Sequence, residues 1–414
     1  MKNRFLTFVF VFTTTCIFAQ NATLSPYSYY GLGAPASNRT VENNAMGGIT
    51  SYADSTHYSL DNPATLGKLK FVQYRIGAGY ITSKQLSGTN NATTITTSLN
   101  YLALSVPTKY FAFSFGLRPE TSVGYRFSSK ETLNGQEQTS LYNGSGGVNS
   151  TFLALAVNPT KGLSLGVSAS YAFGFIEKTF RRGLIGVQLD TRVFTRSELS
   201  GLRYTFAMHY NRKVFDRYSF HLAATHRPKA SLESANTRTI STITTSGTIG
   251  TQQNIDFGTL ANTSNTFAAE NMLGIAFGIP QRLFVGATYV AESSGRVIPL
   301  ETNSDAQFVA SSRLSVGGFF IPKHDSFTNY LKRISYRVGS RWEHTGLVLK
   351  NQAIKDFGIN FGLGLPVGGL SKINIGFEWG QLGTANDGLL KENYTNISIG
   401  FSLSDVWFIK RKYD

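Results

Sequence analysis

The side chains with the most potential for chemistry recur at every second position of segments that resemble β-strands. Arg203 and His209 share the polar face of segment 199–211, and His221 lies on the polar face of segment 217–227. The same parity places four more charged residues on polar faces: Arg75, Arg337, Arg341 and Glu378. The arginines could hold an anionic head group, such as a carboxylate, through charge-assisted hydrogen bonds. Alternatively, these charges only pair with one another and with other internal polar groups.

Catalytic and metal-binding constellations are weak in this sequence. His209 and His221 are predicted to lie near each other across a hairpin, but no carboxylate is spaced to complete a metal site. Ser219 shares a face with His221, yet a nucleophilic serine also needs an orienting third group. Cys16 is the only cysteine, and it precedes the predicted mature chain. We therefore expect no enzymatic activity, no metal and no cofactor.

The first nineteen residues have the layout of an export signal. Lys2 and Arg4 are followed by an apolar stretch over 5–18, and Ala19 is a suitable cleavage position. The stretch is too short for a membrane-spanning helix. A buried N-terminal strand or helix is the alternative. Lipidation at Cys16 is disfavoured by the threonines before it. We predict a signal peptide over 1–19 that is removed on export.

Composition and charge favour a β-rich chain at a membrane. The chain has 31 Phe, 20 Tyr and 41 Gly, a mixture typical of many strands joined by tight turns. Its formal net charge of +15 suits either nucleic acid or anionic lipid head groups. Because the export signal makes nucleic acid the poorer choice, we expect membrane lipid and lipopolysaccharide as partners and no nucleic acid.

Strict alternation of apolar and polar residues is the main structural signal. One segment carries apolar side chains at every second position: Leu163, Leu165, Val167, Ala169, Tyr171, Phe173 and Phe175. Fourteen such segments occur between residues 71 and 404. Many are about ten residues or longer, the length that a tilted strand needs to cross a bilayer. An even number of strands is the rule for bacterial single-chain barrels.

The connections between these segments alternate between short and long, which is typical of a barrel in an outer membrane. Long loops are expected over 128–148, 178–198, 294–308 and 344–355, and 228–269 is expected to be a mobile loop or a strand extension. Connection 321–331 breaks the rule by being long. The sequence therefore predicts an all-β protein, a 14-stranded antiparallel transmembrane β-barrel in the cell outer membrane of a Gram-negative bacterium.

The segment before the first predicted strand lacks alternation. Residues 20–68 are too long for an ordinary loop and contain glycine-rich and proline-containing motifs. We predict that this segment is an N-terminal hatch or plug inside the lumen and that residues 69–414 form the barrel, ending in a short basic periplasmic tail. A flexible periplasmic segment is the alternative.

Two motifs in that segment carry a family resemblance. Met46-Gly47-Gly48 and Asn62-Pro63-Ala64, together with the Glu392–Asp414 terminus, resemble the FadL-type long-chain fatty acid transporters and related barrels of gliding and type IX-secreting bacteria. The resemblance implies a hydrophobic ligand in the lumen, gating by the hatch, and possible lateral opening of the wall. No family residue that contacts ligand can be matched to this sequence.

Two functions follow from these observations. One is passive uptake of small, fatty-acid-like hydrophobic molecules, gated by the hatch. The other is a non-transporting outer-membrane scaffold or partner of a type IX secretion system. Uptake predicts an apolar cavity that the hatch contacts, whereas a scaffold predicts a plugged lumen.

Overall fold

The strands follow the predicted alternation closely. The computed structural model describes residues 23–37, 39–88, 90–133, 135–215, 217–244, 247–255, 262–294 and 306–407. The predicted signal peptide, Cys16 and the basic tail beyond Trp407 lie outside the described residues. Fourteen strands, here β1 to β14, form the wall: Val72–Ser87, Asn90–Pro107, Phe111–Leu133, Gln136–Val157, Leu163–Leu184, Leu189–Val214, Tyr218–Arg227, Glu270–Ile279, Leu283–Glu292, Ser311–Phe320, Ser335–Leu349, Gln352–Gly368, Ser371–Gly383 and Lys391–Asp405.

The sheet closes on itself. β14 pairs with β1 in an antiparallel ladder that runs from Lys391 opposite Leu86 to Asp405 opposite Val72. The outer face exposes a belt of large apolar side chains, such as Leu273 at 62% and Ile275 at 53%. An aqueous surface rarely carries so much contiguous apolar area, whereas lipid solvates it. The predicted closed, fourteen-stranded antiparallel barrel is therefore confirmed.

Several strands extend farther than predicted at one end of the barrel, here called the long-hairpin end. The predicted loops 128–148, 178–198 and 344–355 are wrong, because the flanking strands continue through most of each range. Lys350 and Asn351 both have positive φ, as the two-residue turns of hairpins require. Strand Ala230–Thr244 likewise extends the sheet by pairing with β6. Beyond the lipid neither face is selected to be apolar, so the alternation that reveals a strand fades.

The opposite end, here called the short-turn end, has the predicted short connections, such as 158–162 and 280–282. The exception is 321–334, where a 3₁₀ turn at Tyr330–Arg333 precedes β11. Its position agrees with the long connection that the sequence predicts over 321–331. It lies beside the opening of the lumen.

One seam in the wall is incomplete. β2 and β3 pair only from Leu102 opposite Leu117 to Pro107 opposite Ala112. Toward the long-hairpin end, no ladder pair joins these two strands in the part of the chain that the structure describes. Each strand instead continues along its other neighbour. The freed edge of β3 would leave backbone groups unpaired in hydrocarbon unless something covers it.

Residues 23–71, here called the N-terminal segment, lie against the inner face of the wall. The segment contains short helical turns at Pro26–Tyr29, Val41–Asn44 and Pro63–Lys68. None of the helices in the described residues is long and apolar enough to cross a membrane. Val41, Met46, Ile49, Tyr58 and Leu66 are each at most 1% exposed. The segment therefore supplies much of the packed interior.

Candidate functional site: contacts between the N-terminal segment and the lumen

A single carboxylate on the N-terminal segment forms ion pairs with three guanidinium groups. Asp61 Oδ1 lies 2.9 Å from Arg118 on β3 and 3.1 Å from Arg227 on β7, and Oδ2 lies 3.1 Å from Arg39. Burial alone would raise the pKa of Asp61. The surrounding guanidinium groups, led by Arg227, outweigh burial and hold that pKa well below its usual range. Asp61 is thus an anionic link between the segment and two distant strands.

Further charges extend this cluster along the wall. Glu120 lies 3.3 Å from Arg118 and 4.0 Å from Arg203, and Glu270 lies 3.1 Å from Arg227. Arg203, predicted for the polar face, is therefore inside and beside an acid. The cluster of four arginines and three acids is almost neutral, which lowers the cost of burying it.

A second carboxylate of the segment, Glu42, contacts the seam where the barrel closes. Its Oε2 lies 3.4 Å from Arg75 on β1. Its Oε1 accepts from Ser402 on β14 at 2.8 Å and from Asn374 on β13 at 3.0 Å. Arg337 donates to the Asn374 side chain at 3.0 Å. Two of the predicted lumen arginines, Arg75 and Arg337, thus lie within one buried polar network.

Arg341 and Glu378, also predicted for the lumen, form a separate network. Arg341 Nη2 lies 2.7 Å from Asp356, 3.1 Å from Glu378 and 2.8 Å from the hydroxyl oxygen of Tyr394. The Tyr394 hydroxyl donates to Asp356 at 2.9 Å. With its charge shared among these partners, Arg341 is poorly suited to bind a free carboxylate.

The two predicted histidines are buried side by side. The ring centroids of His209 and His221 are 5.6 Å apart. His209 Nε2 lies 3.0 Å from the carbonyl oxygen of Ser51 in the N-terminal segment. His221 Nδ1 accepts from Asn211 at 3.0 Å, and its Nε2 lies 3.1 Å from Ser219 Oγ. No carboxylate is within hydrogen-bond reach of either imidazole among the described residues, and those residues contain no cluster of acids and histidines suited to a metal.

The Asn62-Pro63-Ala64 motif is a helix start seated on the wall. Asn62 caps the turn by accepting from the Ala64 amide at 3.2 Å, and Pro63 occupies the first helical position. A methyl group on Gly166 of β5 would collide with the Pro63 and Ala64 backbone. The glycine therefore lets the turn reach the wall.

The Met46-Gly47-Gly48 motif ends helix Val41–Asn44 and reverses the chain. Gly47 and Gly48 have φ of +74° and +94°, which side chains other than glycine rarely adopt. A methyl group on Gly339 of β11 would collide with the backbone of Met46 and Gly47. Both motifs thus combine a turn in the segment with an inward-facing wall glycine.

Sequence reasoning missed the acids and two of the arginines that hold the segment. Asp61 and Glu42 lie in a region without periodicity, so no pattern indicated which way they point. Arg118 and Arg227 lie on the polar parity of their predicted strands, and extending the parity argument to them would have found them. Together, the contacts make a charged, closely packed joint that can hold a plug in a lumen.

Solved structures with the same fold have low sequence identity to this chain. The toluene transporter TodX of Pseudomonas putida is 16% identical, with a TM-score of 0.55, and the match covers 91% of this chain and 100% of TodX. The toluene transporter TbuX of Ralstonia pickettii is 14% identical, with a TM-score of 0.57, and the match covers 89% of this chain and 99% of TbuX. A FadL homologue of Pseudomonas aeruginosa is 12% identical, with a TM-score of 0.51, and the match covers 90% of this chain and 99% of the homologue. These identities establish the fold alone.

Sequence comparison gives the family. No curated protein matches the chain. The family model described as BamG matches residues 1–414, which is the whole chain. The FadL-type resemblance read from the two N-terminal motifs is confirmed at the level of the barrel. The chain therefore belongs to the BamG family and has a FadL-type barrel fold.

Proposed function

We propose that this chain is an outer-membrane barrel that lets small, fatty-acid-like hydrophobic molecules pass, with its N-terminal segment acting as the hatch. In this proposal residues 1–19 are removed on export, residues 20–68 are the hatch, and the short-turn end faces the periplasm, as is usual for such barrels. The observation that carries it is the incomplete seam between β2 and β3, which the hatch itself covers.

The cover is a short added strand. Ala34 pairs with Ser122 and Pro35 with Thr121 on the freed edge of β3. The amide of Ala36 donates to the Glu120 carbonyl oxygen at 3.0 Å. Only two ladder pairs seal this stretch, so opening it costs far less than parting any complete pair of barrel strands.

Aromatic packing holds the same part of the hatch on the inside of the wall. The Tyr29 ring is 5.2 Å from Tyr125 on β3 and 6.1 Å from Tyr142 on β4, centroid to centroid. Displacing residues 28–36 would therefore expose an aromatic surface beside the seam, which suits a hydrophobic molecule entering from lipid. The names of TodX and TbuX as toluene transporters agree with this proposal.

A reversible tether tests the gate. Ala34→Cys with Ser122→Cys should form a disulfide, because directly opposed residues of antiparallel strands suit its geometry. Reconstituted vesicles carrying the oxidised variant should lose uptake of a fluorescent fatty acid, and a reductant should restore it. Cys16 precedes the predicted mature chain, so the new pair should be its only thiols.

The matched control joins β4 and β5, which are already fully paired. Ala154 and Ser168 face each other across that ladder, and both are buried. A disulfide between cysteines at 154 and 168 should leave uptake unchanged. Equal uptake by the oxidised and reduced forms of the 34–122 variant would contradict the gating proposal.

The second candidate, a non-transporting scaffold or partner of a secretion system, is favoured by the Asp61 cluster. Three arginines on one buried carboxylate make a joint that is costly to break. Deleting residues 21–66 separates the two functions. A gated channel should then conduct ions freely in planar bilayers, whereas a scaffold should mainly lose assembly.

A further inference from the structure

We propose that the short-turn end of the lumen carries a binding site for a small carboxylate with an apolar body. A cavity of about 210 Å³ opens there between the N-terminal segment, connection 321–334 and the start of β13. Its lining includes Tyr52, His57, Phe319, Arg333, Arg337 and Lys372. The site lies apart from the incomplete seam, and binding there does not require that anything pass through the barrel.

Three cations line this cavity without an acid partner. Among the described residues, no carboxylate lies within 4.0 Å of Arg333, Arg337 or Lys372, in contrast to the arginines around Asp61. Arg337 donates to the Asn374 side chain, through which it is linked to Glu42, and no carboxylate among the described residues contacts its guanidinium group directly. Unpaired cations facing a cavity attract an anion.

The acids in the same lining are already engaged within the protein. Glu42 accepts from Asn374 and Ser402 and contacts Arg75. Asp54 Oδ1 accepts from the amide of Thr56 at 2.7 Å and from that of His57 at 2.8 Å, while Oδ2 accepts from the Tyr52 hydroxyl. Both acids also line the cavity, but the three cations outnumber them, so the lining carries a net charge of about +1.

His57 supplies a second, independent observation. Its ring is 7% exposed, and its Nε2 has no hydrogen-bond partner among the described residues. A buried polar atom without a partner costs about 1–3 kcal/mol. In the tautomer that carries hydrogen on Nε2, this donor is left for a ligand oxygen, and a small shift of the ring toward the cavity that His57 lines would remove that penalty.

The apolar part of the lining determines which ligand body fits beside the carboxylate. Met46, Tyr52, Phe319, Ile321 and Leu370 contribute apolar surface to the same cavity. At about 30 Å³ per water, the volume corresponds to roughly seven waters. A compact body such as one aromatic ring fits this space, whereas inorganic phosphate would leave the apolar wall unfilled.

Direct binding tests the proposal with benzoate and its uncharged isostere, benzamide. The full-length mature chain in lipid nanodiscs is titrated with each probe and followed by calorimetry. Benzoate should bind, and benzamide should bind about tenfold more weakly because it lacks the charge that the cations recognise. Equal affinities, or no detectable benzoate binding at millimolar concentration, would overturn the proposal.

Lysine substitutions locate the site. Lys372→Met should weaken benzoate about tenfold and leave benzamide unchanged. Lys332→Met, which removes an equal charge from an exposed position outside the lining, should leave both probes unchanged. Arg333→Gln gives a second test on a separate element. If Lys372→Met and Arg333→Gln both retain full benzoate affinity with native circular dichroism, the site is not where we propose. These binding tests are independent of the uptake assays, so either proposal can fail without the other.

Discussion

Replacing Asp61 by Asn should release the N-terminal segment from the lumen while leaving the barrel closed. The substitution removes the one acid that Arg39, Arg118 and Arg227 share and leaves buried guanidinium charge without its counterion. Removing one partner of a buried ion pair costs about 3–5 kcal/mol. We take the lower value, because Arg118 and Arg227 keep Glu120 and Glu270. About 3 kcal/mol corresponds to a roughly hundredfold larger population of the undocked segment.

Limited proteolysis measures this population. When opening and closing are fast relative to cleavage, the cleavage rate within residues 23–68 follows the fraction of undocked segment. The Asp61→Asn protein should be cut there about a hundred times faster, while the barrel core stays resistant. Asp325→Asn, at an exposed position in connection 321–334, is the matched control and should be cut at the native rate. Native-like resistance of Asp61→Asn would mean that the shared carboxylate does not anchor the segment.

Gly339→Val should displace the Met46-Gly47-Gly48 turn from the wall. The new side chain would collide with backbone atoms of Met46 and Gly47, and a rotamer change cannot relieve that collision. Overpacking of this kind costs about 1–3 kcal/mol or more. Valine itself suits a strand, so β11 should persist. We expect faster cleavage near the turn and unchanged heat resistance of the barrel on gels.

Gly368→Val is the matched control for that substitution. A methyl group there meets nothing within 4 Å, and the residue closes β12 at the short-turn end. The control should therefore behave as the native protein does. If Gly339→Val left the cleavage rate unchanged, the close packing of the turn against β11 would not contribute to docking of the N-terminal segment.

The two anchors differ in the physics that they test. Asp61 joins the segment to β3 and β7 by charge, whereas the turn at Gly47 meets β11 by shape alone. High salt should hardly weaken the first, because buried pairs are poorly screened. Arg39 pairs with Asp61 and also lies against the turn, 3.4 Å from the place of a methyl group on Gly48. Because the two anchors share this residue, combining both substitutions should give effects on docking that are not additive.

Alternation predicted the wall because lipid and lumen impose opposite demands on the two faces of every strand. Leu273 and Ile275 are therefore apolar, whereas inward positions such as His221 and Arg227 are polar or charged. The same logic explains the failures at 128–148, 178–198 and 344–355. There the hairpins extend beyond the lipid, so the outer face no longer has to be apolar. The strands continue, but without the alternation that would predict them.

What the sequence by itself determined is the strand count, the faces of most wall residues and an irregular segment before the wall. A β-bulge between Pro119 and Thr121 reverses the parity in β3, so Tyr125 faces the lumen although the alternation places it outside. Apart from hairpin neighbours such as His209 and His221, tertiary structure alone decided which groups meet. Asp61, Arg118 and Arg227 lie far apart in the chain, and only closure of the sheet brings β3 and β7 to one carboxylate in the lumen. The open seam between β2 and β3 is equally invisible in sequence, because a strand with one bonded edge has the same side-chain alternation as a strand with two.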